Sequence, residues 1–297
     1  MPRRNGFHLI AASGAVAFFA LLLTGCAHLP ENGRDSIRQR DIDSAISRAI
    51  VFYNTPYDGR INLDDIWLSQ IAARVLPELK NSSFFSADPF VRFAGNPMLK
   101  LYDENFLPEN LIITKAGDGR PAAFAGGAYH ISSPHNREMY APRDEVLLKA
   151  LYCRETGYDA EDLDVLLATV NREGGYDDTH ALVSLLILKQ QGCLPAELLS
   201  PHISGLVDVI VEIQDNAELF NDLYVERVAF LFWAGAGKRV KSEWIATILD
   251  KQMDNGAWGA DGSTSANLHQ TALAVMSLAY YQQRKIEQPF WNLFPVN

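Results

Sequence analysis

Basic residues are in short supply: the 297-residue chain carries 26 Lys and Arg against 36 Asp and Glu, a net charge of −10. That balance disfavours nucleic acid and anionic membrane surfaces as electrostatic partners. Chemical motifs are scarce too. There is no phosphate-cradling glycine loop, no Ser/His/Asp nucleophile signature and no nucleic-acid motif. The uncharged apolar run Leu9–Leu23 has 15 residues, fewer than the roughly 20 of a membrane-crossing helix, which argues against a transmembrane anchor. Cysteine is limited to Cys26, Cys153 and Cys193. What the chain does have is 48% apolar residues, enough for a real core, and a length that suits one large or two small domains.

Arg3 and Arg4 precede the apolar run, which ends in Leu23-Thr24-Gly25-Cys26. A basic start followed by a short apolar centre marks residues 1–25 as a secretory signal peptide. The Leu-x-Gly-Cys ending resembles the lipobox of bacterial lipoproteins. An ordinary signal peptide with a Cys near its end is the competing reading. The resemblance implies that Cys26 is lipidated and becomes the first mature residue, so that the chain meets the membrane through that lipid. Ala27, where inner-membrane lipoproteins often carry Asp, implies the outer membrane of a bacterial envelope, facing the periplasm. Loss of residues 1–25 removes two Arg and no acid, leaving 24 basic and 36 acidic residues, a net −12. Cys153 and Cys193 then lie in a compartment that permits disulfides. Two buried free thiols are the plainer expectation, and a bridge between neighbouring hairpins is the alternative.

Residues 26–40 form a polar, lipidated tether. Within 41–142, two amphipathic helices, about Asp41–Tyr53 and Leu63–Leu79, make a first hairpin. Periodicity then fails from Asn81 to Pro142, where Pro and Gly recur among Phe84, Phe85, Phe90, Phe93, Tyr102, Phe106, Phe124 and Tyr129. Such a long, aromatic-rich segment reads as an ordered lid or wall. In 143–297 helices alternate with short breaks: Arg143–Arg154, Glu161–Val170, Thr179–Gln190, Ala196–Gln214, Leu223–Trp233, Lys241–Lys251 and Leu268–Gln283. Short turns force consecutive helices to pack antiparallel. The expected class is therefore all-α.

Superposing the breaks puts His180, Tyr224 and His269 at one position, in steps of 44 and 45 residues, a helical-hairpin period. Gln252, Gly256 and Trp258, followed by Leu268-His269-Gln270-Thr271-Ala272-Leu273, resemble the QW repeat of squalene–hopene cyclases and of protein prenyltransferase β subunits. Gly174-Gly175-Tyr176-Asp177-Asp178-Thr179-His180-Ala181-Leu182 looks like a second copy, and Gln214 with Phe220 a degenerate third. The resemblance covers about Arg143–Gln283. It implies an α/α toroid, here incomplete, with about four or five hairpins and the long middle segment closing the gap. It also implies scaffold roles for Gln252 and Trp258. The cyclase acid motif Asp-x-Asp-Asp is missing, because Asp162-Leu163-Asp164-Val165 lacks its last Asp. Asp178 and His180 fall where the prenyltransferases place an Asp-x-Cys zinc pair, and His269 where they place a later His. Asp178, His180 and His269 are acceptable zinc ligands, although the two histidines stand two repeats apart.

Two functional readings follow. In one, the cavity or the aromatic wall is a non-catalytic surface that binds a glycan, a peptide or a partner protein. In the other, the chain is an envelope polysaccharide lyase or hydrolase, or a zinc-dependent enzyme. The cavity mouth would then carry His180, Tyr224, His269, Asp178, Glu226 and Asp261, types able to transfer or orient protons. For each residue alone, a structural role at a helix start is the plainer explanation.

Overall fold

The structure is a computed structural model that describes residues 37–55, 63–86, 112–114, 130–132, 146, 147, 149, 150 and 153–283. All of these belong to the unit Ile37–Asn297, and Met1–Ser36 forms a separate unit. The leader, Cys26, most of the tether and nearly all of the aromatic-rich segment lie outside the described residues.

The unit is built from helices. α1 is Gln39–Phe52, α2 Leu63–Val75 and α3 Ser83–Ser86, with a 3-10 turn at Pro77–Asn81. A short antiparallel ribbon follows, β1 Ile112–Thr114 with β2 His130–Ser132, pairing Ile113 with Ile131. Then come α4 Cys153–Thr156, α5 Ala160–Ala168, α6 Tyr176–Gln191, α7 Ala196–Asp215, α8 Asp222–Trp233, α9 Ser242–Asp250 and α10 Leu268–Gln283.

Burial sorts these helices into two layers. α6, α8 and α10 are buried on nearly every side, α10 without interruption from Gln270 to Tyr280. A helix apolar all round belongs inside. α7 and α9 bury a single face, Leu199, Ile203, Leu206, Val207 and Ile210 in one and Trp244, Ile245 and Ile248 in the other. The inner helices stand side by side as α6, α8, α10, with α7 against α6 and α8, and α9 against α10. The row does not end there. α2 packs on α10, and α1, whose buried stripe is Ile42, Ala45, Ile46, Ala49 and Phe52, packs on α10 and α9. α1 and α2 thus take their places beside the C-terminal helices, each against α10 rather than paired as the expected hairpin.

The expected scaffold residues fasten that junction. Gln252 donates through Nε2 to the carbonyls of Ala45 and Gly256, both at 2.8 Å. Trp258, fully buried, donates through Nε1 to the Ile248 carbonyl at 2.7 Å. Gly256 has φ +87 and lies so close to α1 that an added Cβ would sit 2.2 Å from the Arg48 carbonyl oxygen. Only glycine fits there.

The expectation of two free thiols is corrected, since Cys153 and Cys193 are bridged. Cys153 is buried but Cys193 only partly so, and burial alone had suggested inert thiols. α4 packs on α6 and brings their Cα atoms to 6.1 Å, within bridging range. Arg154 reinforces the join by donating to the Gln191 carbonyl at 2.9 and 3.0 Å.

Candidate active site

The loop before α6 is closed from within. Asp178 has no exposed surface, and its carboxylate accepts from the backbone N–H groups of Asn171 at 3.2 Å, Arg172 at 3.0 Å and Gly174 at 2.6 Å. These bonds hold Arg172 in the left-handed region at φ +62. On the other side the Arg227 guanidinium donates to the Gly174 carbonyl at 2.6 Å. Fixing the loop fixes the first turn of α6, and with it Tyr176, Thr179 and His180.

Those three side chains face α8. The Thr179 hydroxyl donates to Glu226 Oε1, and His180 Nε2 lies 3.9 Å from the same oxygen. Glu226 is wholly buried, and its Oε2 has no hydrogen-bond partner among the described residues. Asp222, four residues earlier, occupies the same face of α8. It accepts from the Tyr176 hydroxyl at 3.2 Å through Oδ2, while Oδ1 is 2.7 Å from His269 Nδ1 on α10. One oxygen each of Asp222 and Glu226 and one ring nitrogen of His269 lie within 4.8 Å of one another. His180, Asp222 and His269 each keep about a fifth of the side chain exposed, so the cluster has a buried floor and a wet rim.

Burial pushes the Glu226 carboxyl above its usual range, and Asp222 pushes the same way, while His180, His269 and the Thr179 hydroxyl pull it down. Burial therefore works toward the protonated carboxyl, and the two imidazoles and the hydroxyl work toward the charged one.

Of the six residues read from the sequence, the structure brings His180, Glu226 and His269 together and separates the other three. Asp178 is the staple of the adjacent loop, with its oxygens occupied by backbone N–H groups. Among the described residues, the three donors that stand close enough to share an ion are Asp222, Glu226 and His269 rather than Asp178, His180 and His269. Tyr224 is two residues from Glu226, about 200° round the helix, and its hydroxyl lies beside Thr247 and Gln214 between α9 and α7. Asp261 stitches two loops: it accepts from Phe220 N and donates back to Phe220 O, both at 2.8 Å, and pairs with Lys251 Nζ at 2.7 Å. The Lys251 hydrogen bond, with that from Phe220, holds its carboxyl below the usual range. Asp162 completes the capping box of α5 with Asp159 and pairs with Lys149, away from the cluster.

Asp222, Thr179 and Tyr176 were missed in the sequence. The helix starts explain why. Gly175 and Asn221 are N-caps, and Asn267 accepts from Gln270 N as Asn221 does from Tyr224 N. These positions are 46 residues apart in each step, 175 to 221 and 221 to 267. In that register the partner of His180 is Glu226, five residues past its cap, rather than Tyr224. The readable signal was Asp222-x-x-x-Glu226, one helical turn on one face.

No family model, no curated protein and no solved structure matches the chain. The functional reading therefore rests on the side-chain geometry.

Proposed function

We propose that the chain is an envelope-anchored enzyme that hydrolyses a glycan polymer or its fragments, on a helical scaffold arranged as part of an α/α toroid. The observation that carries the activity is the buried Glu226 carboxylate, one oxygen without a partner among the described residues and the other beside the His180 imidazole. Burying a carboxylate without a full set of partners costs several kcal/mol by general magnitude. Groups kept at such cost cluster at functional sites.

The scaffold reading draws on the two helix layers, the 46-residue spacing of helix starts and the structural work of Gln252 and Trp258. The envelope reading draws on the signal and Cys26, with support from the Cys153–Cys193 bridge, since structural disulfides persist in oxidising compartments. The lipid on Cys26 is then the membrane anchor.

Within the cluster, His180 is the proton-transfer residue. Glu226 lies 3.9 Å from its Nε2, and the ring gives its proton to the departing glycosidic oxygen. The Asp222–His269 pair on the neighbouring helices activates the water that attacks the anomeric carbon. Asp222 and Glu226 place two carboxyl groups in the site, which disfavours an acidic substrate and selects hydrolysis over elimination from a uronate.

The test is release of reducing ends from envelope glycans by the full chain in mild detergent. His180→Ala is expected to lower kcat by about 10²–10⁴-fold with the helical circular dichroism unchanged. Absence of turnover by the wild-type chain across envelope glycans refutes the enzyme and favours the non-catalytic binder of a glycan, peptide or protein.

A further inference from the structure

We infer that Asp222, Glu226 and His269 are the protein ligands of a divalent cation, zinc in the first instance, with His180 left beside the ion for proton transfer. This rests on the reading of the cluster as catalytic, and it names the cofactor.

Three observations converge. The donors come from one imidazole and two carboxylates on two separate inner helices, types that zinc accepts, and three protein ligands with a fourth position for water is a catalytic arrangement. Ligands at about 2.1 Å in tetrahedral geometry stand roughly 3.4 Å apart. Donors already within 4.8 Å reach that spacing by side-chain movements on the order of 1 Å.

The second observation is the unpartnered Oε2 of Glu226, on a side chain with no exposed surface. A bare buried carboxylate oxygen lacks both water and a donor, and a cation supplies what is missing. The third concerns the other oxygens. Glu226 Oε1 is held by the Thr179 hydroxyl and Asp222 Oδ2 by the Tyr176 hydroxyl, so α6 anchors one oxygen of each carboxylate. Anchored partners of this kind orient the first ligands around bound metals. The short Asp222 Oδ1 to His269 Nδ1 contact holds a proton when no ion is present. A cation between the two would take the Asp222 oxygen and the His269 nitrogen as ligands in place of that contact. With Asp222 and His269 as ligands, the cation they hold would supply, in place of that pair acting alone, the activation of the attacking water.

The experiment is titration of the chelator-stripped full chain in detergent with Zn²⁺, and with Co²⁺ for its visible spectrum. One equivalent is expected, with a tetrahedral Co²⁺ band. Glu226→Gln, Asp222→Asn and His269→Gln should each weaken binding more than about 100-fold, beyond the loss typical of an outer-shell partner, and Thr179→Val about 10-fold. His180→Ala should leave binding within a few-fold. Variants are first matched to wild type by circular dichroism. Because Asp222 and His269 sit at the partly exposed rim, they remain informative should Glu226→Gln fail to fold. No binding by the folded wild type, or binding indifferent to Asp222→Asn and His269→Gln, overturns the cation site. If that happens while His180→Ala still abolishes turnover, the catalytic reading stands without an ion. Stoichiometric binding without turnover preserves the site and refutes the hydrolase.

Discussion

Replacing Asp178 by Ala separates a scaffold carboxylate from a functional one. The substitution removes the acceptor of three backbone N–H groups at once. A hydrogen bond to a charged group contributes about 1.5–3 kcal/mol. The Gly174 N–H is in the buried bond and loses all of that, whereas Asn171 and Arg172 are exposed residues whose N–H groups regain water. Taking about 2–3 kcal/mol for the first and about 0.5–1 for each of the others gives about 3–5 kcal/mol. Arg172 offsets part of that loss, because a left-handed backbone costs a non-glycine residue about 1–2 kcal/mol and is free to relax once the Asp178 bonds that hold it are gone. Against a domain stability of about 5–15 kcal/mol this is a large fraction. Urea unfolding followed by circular dichroism reads it directly. Asp178→Asn, which keeps an acceptor but loses the charge, should fall between Ala and wild type. A cost below about 1 kcal/mol for Asp178→Ala, or lost turnover at unchanged stability, would refute the loop-staple account.

The disulfide closes a loop of 40 residues in sequence separation, and Cys153→Ser should cost about 4 kcal/mol on the loop-entropy model. Reduction of the wild type should lower the urea midpoint by a matching amount, and equal midpoints with and without reductant would count against it. Gly256→Ala and Gly262→Ala form a contrasting pair. Both have positive φ, but the added Cβ meets the Arg48 carbonyl at 2.2 Å in the first and nothing within 4 Å in the second. Thermal melts should show a loss of about 3 kcal/mol or more for Gly256→Ala, where clash and strain combine, and about 1 for Gly262→Ala. Equal losses would mean that α1 does not bear on that loop.

The helices were legible because apolar spacing is a local property. α7 and α10 begin at Ala196 and Leu268, where the pattern placed them. α6 begins three residues before the expected Thr179, because the Gly174-Gly175 turn, pinned by Asp178 and Arg227, lets Tyr176 enter the helix. The register between helices was not legible. An inner helix buried on every side has no polar face to mark its rotation, so the alignment leaned on polar residues near the breaks. Tyr224 is polar but points between α7 and α9, and choosing it shifted α8 by two residues and left Asp222, one turn before Glu226, out of the candidate set. The Asp178 and Asp261 carboxylates misled for a related reason: the three donors to Asp178 are backbone N–H groups, which no residue type advertises, and Asp261 divides its oxygens between the Phe220 N–H and Lys251. The disulfide depended on a contact between α4 and the end of α6, and the place of α1 and α2 on contacts some 200 residues apart in sequence.

That last contact has a consequence for how the chain comes to be folded. Synthesis delivers α1 first, yet the surfaces that cover Ile42, Ala45, Ile46, Ala49 and Phe52 are on α9 and α10, made near the end. Until Gln252 reaches the Ala45 carbonyl, across 207 residues, the oldest helix has an apolar stripe and no partner for it. Pairings so distant in sequence are slow to form, and an amphipathic helix left waiting is open to wrong associations. α1 is thus made well before the helices that shelter it, and its apolar stripe waits uncovered while the chain between them is synthesised.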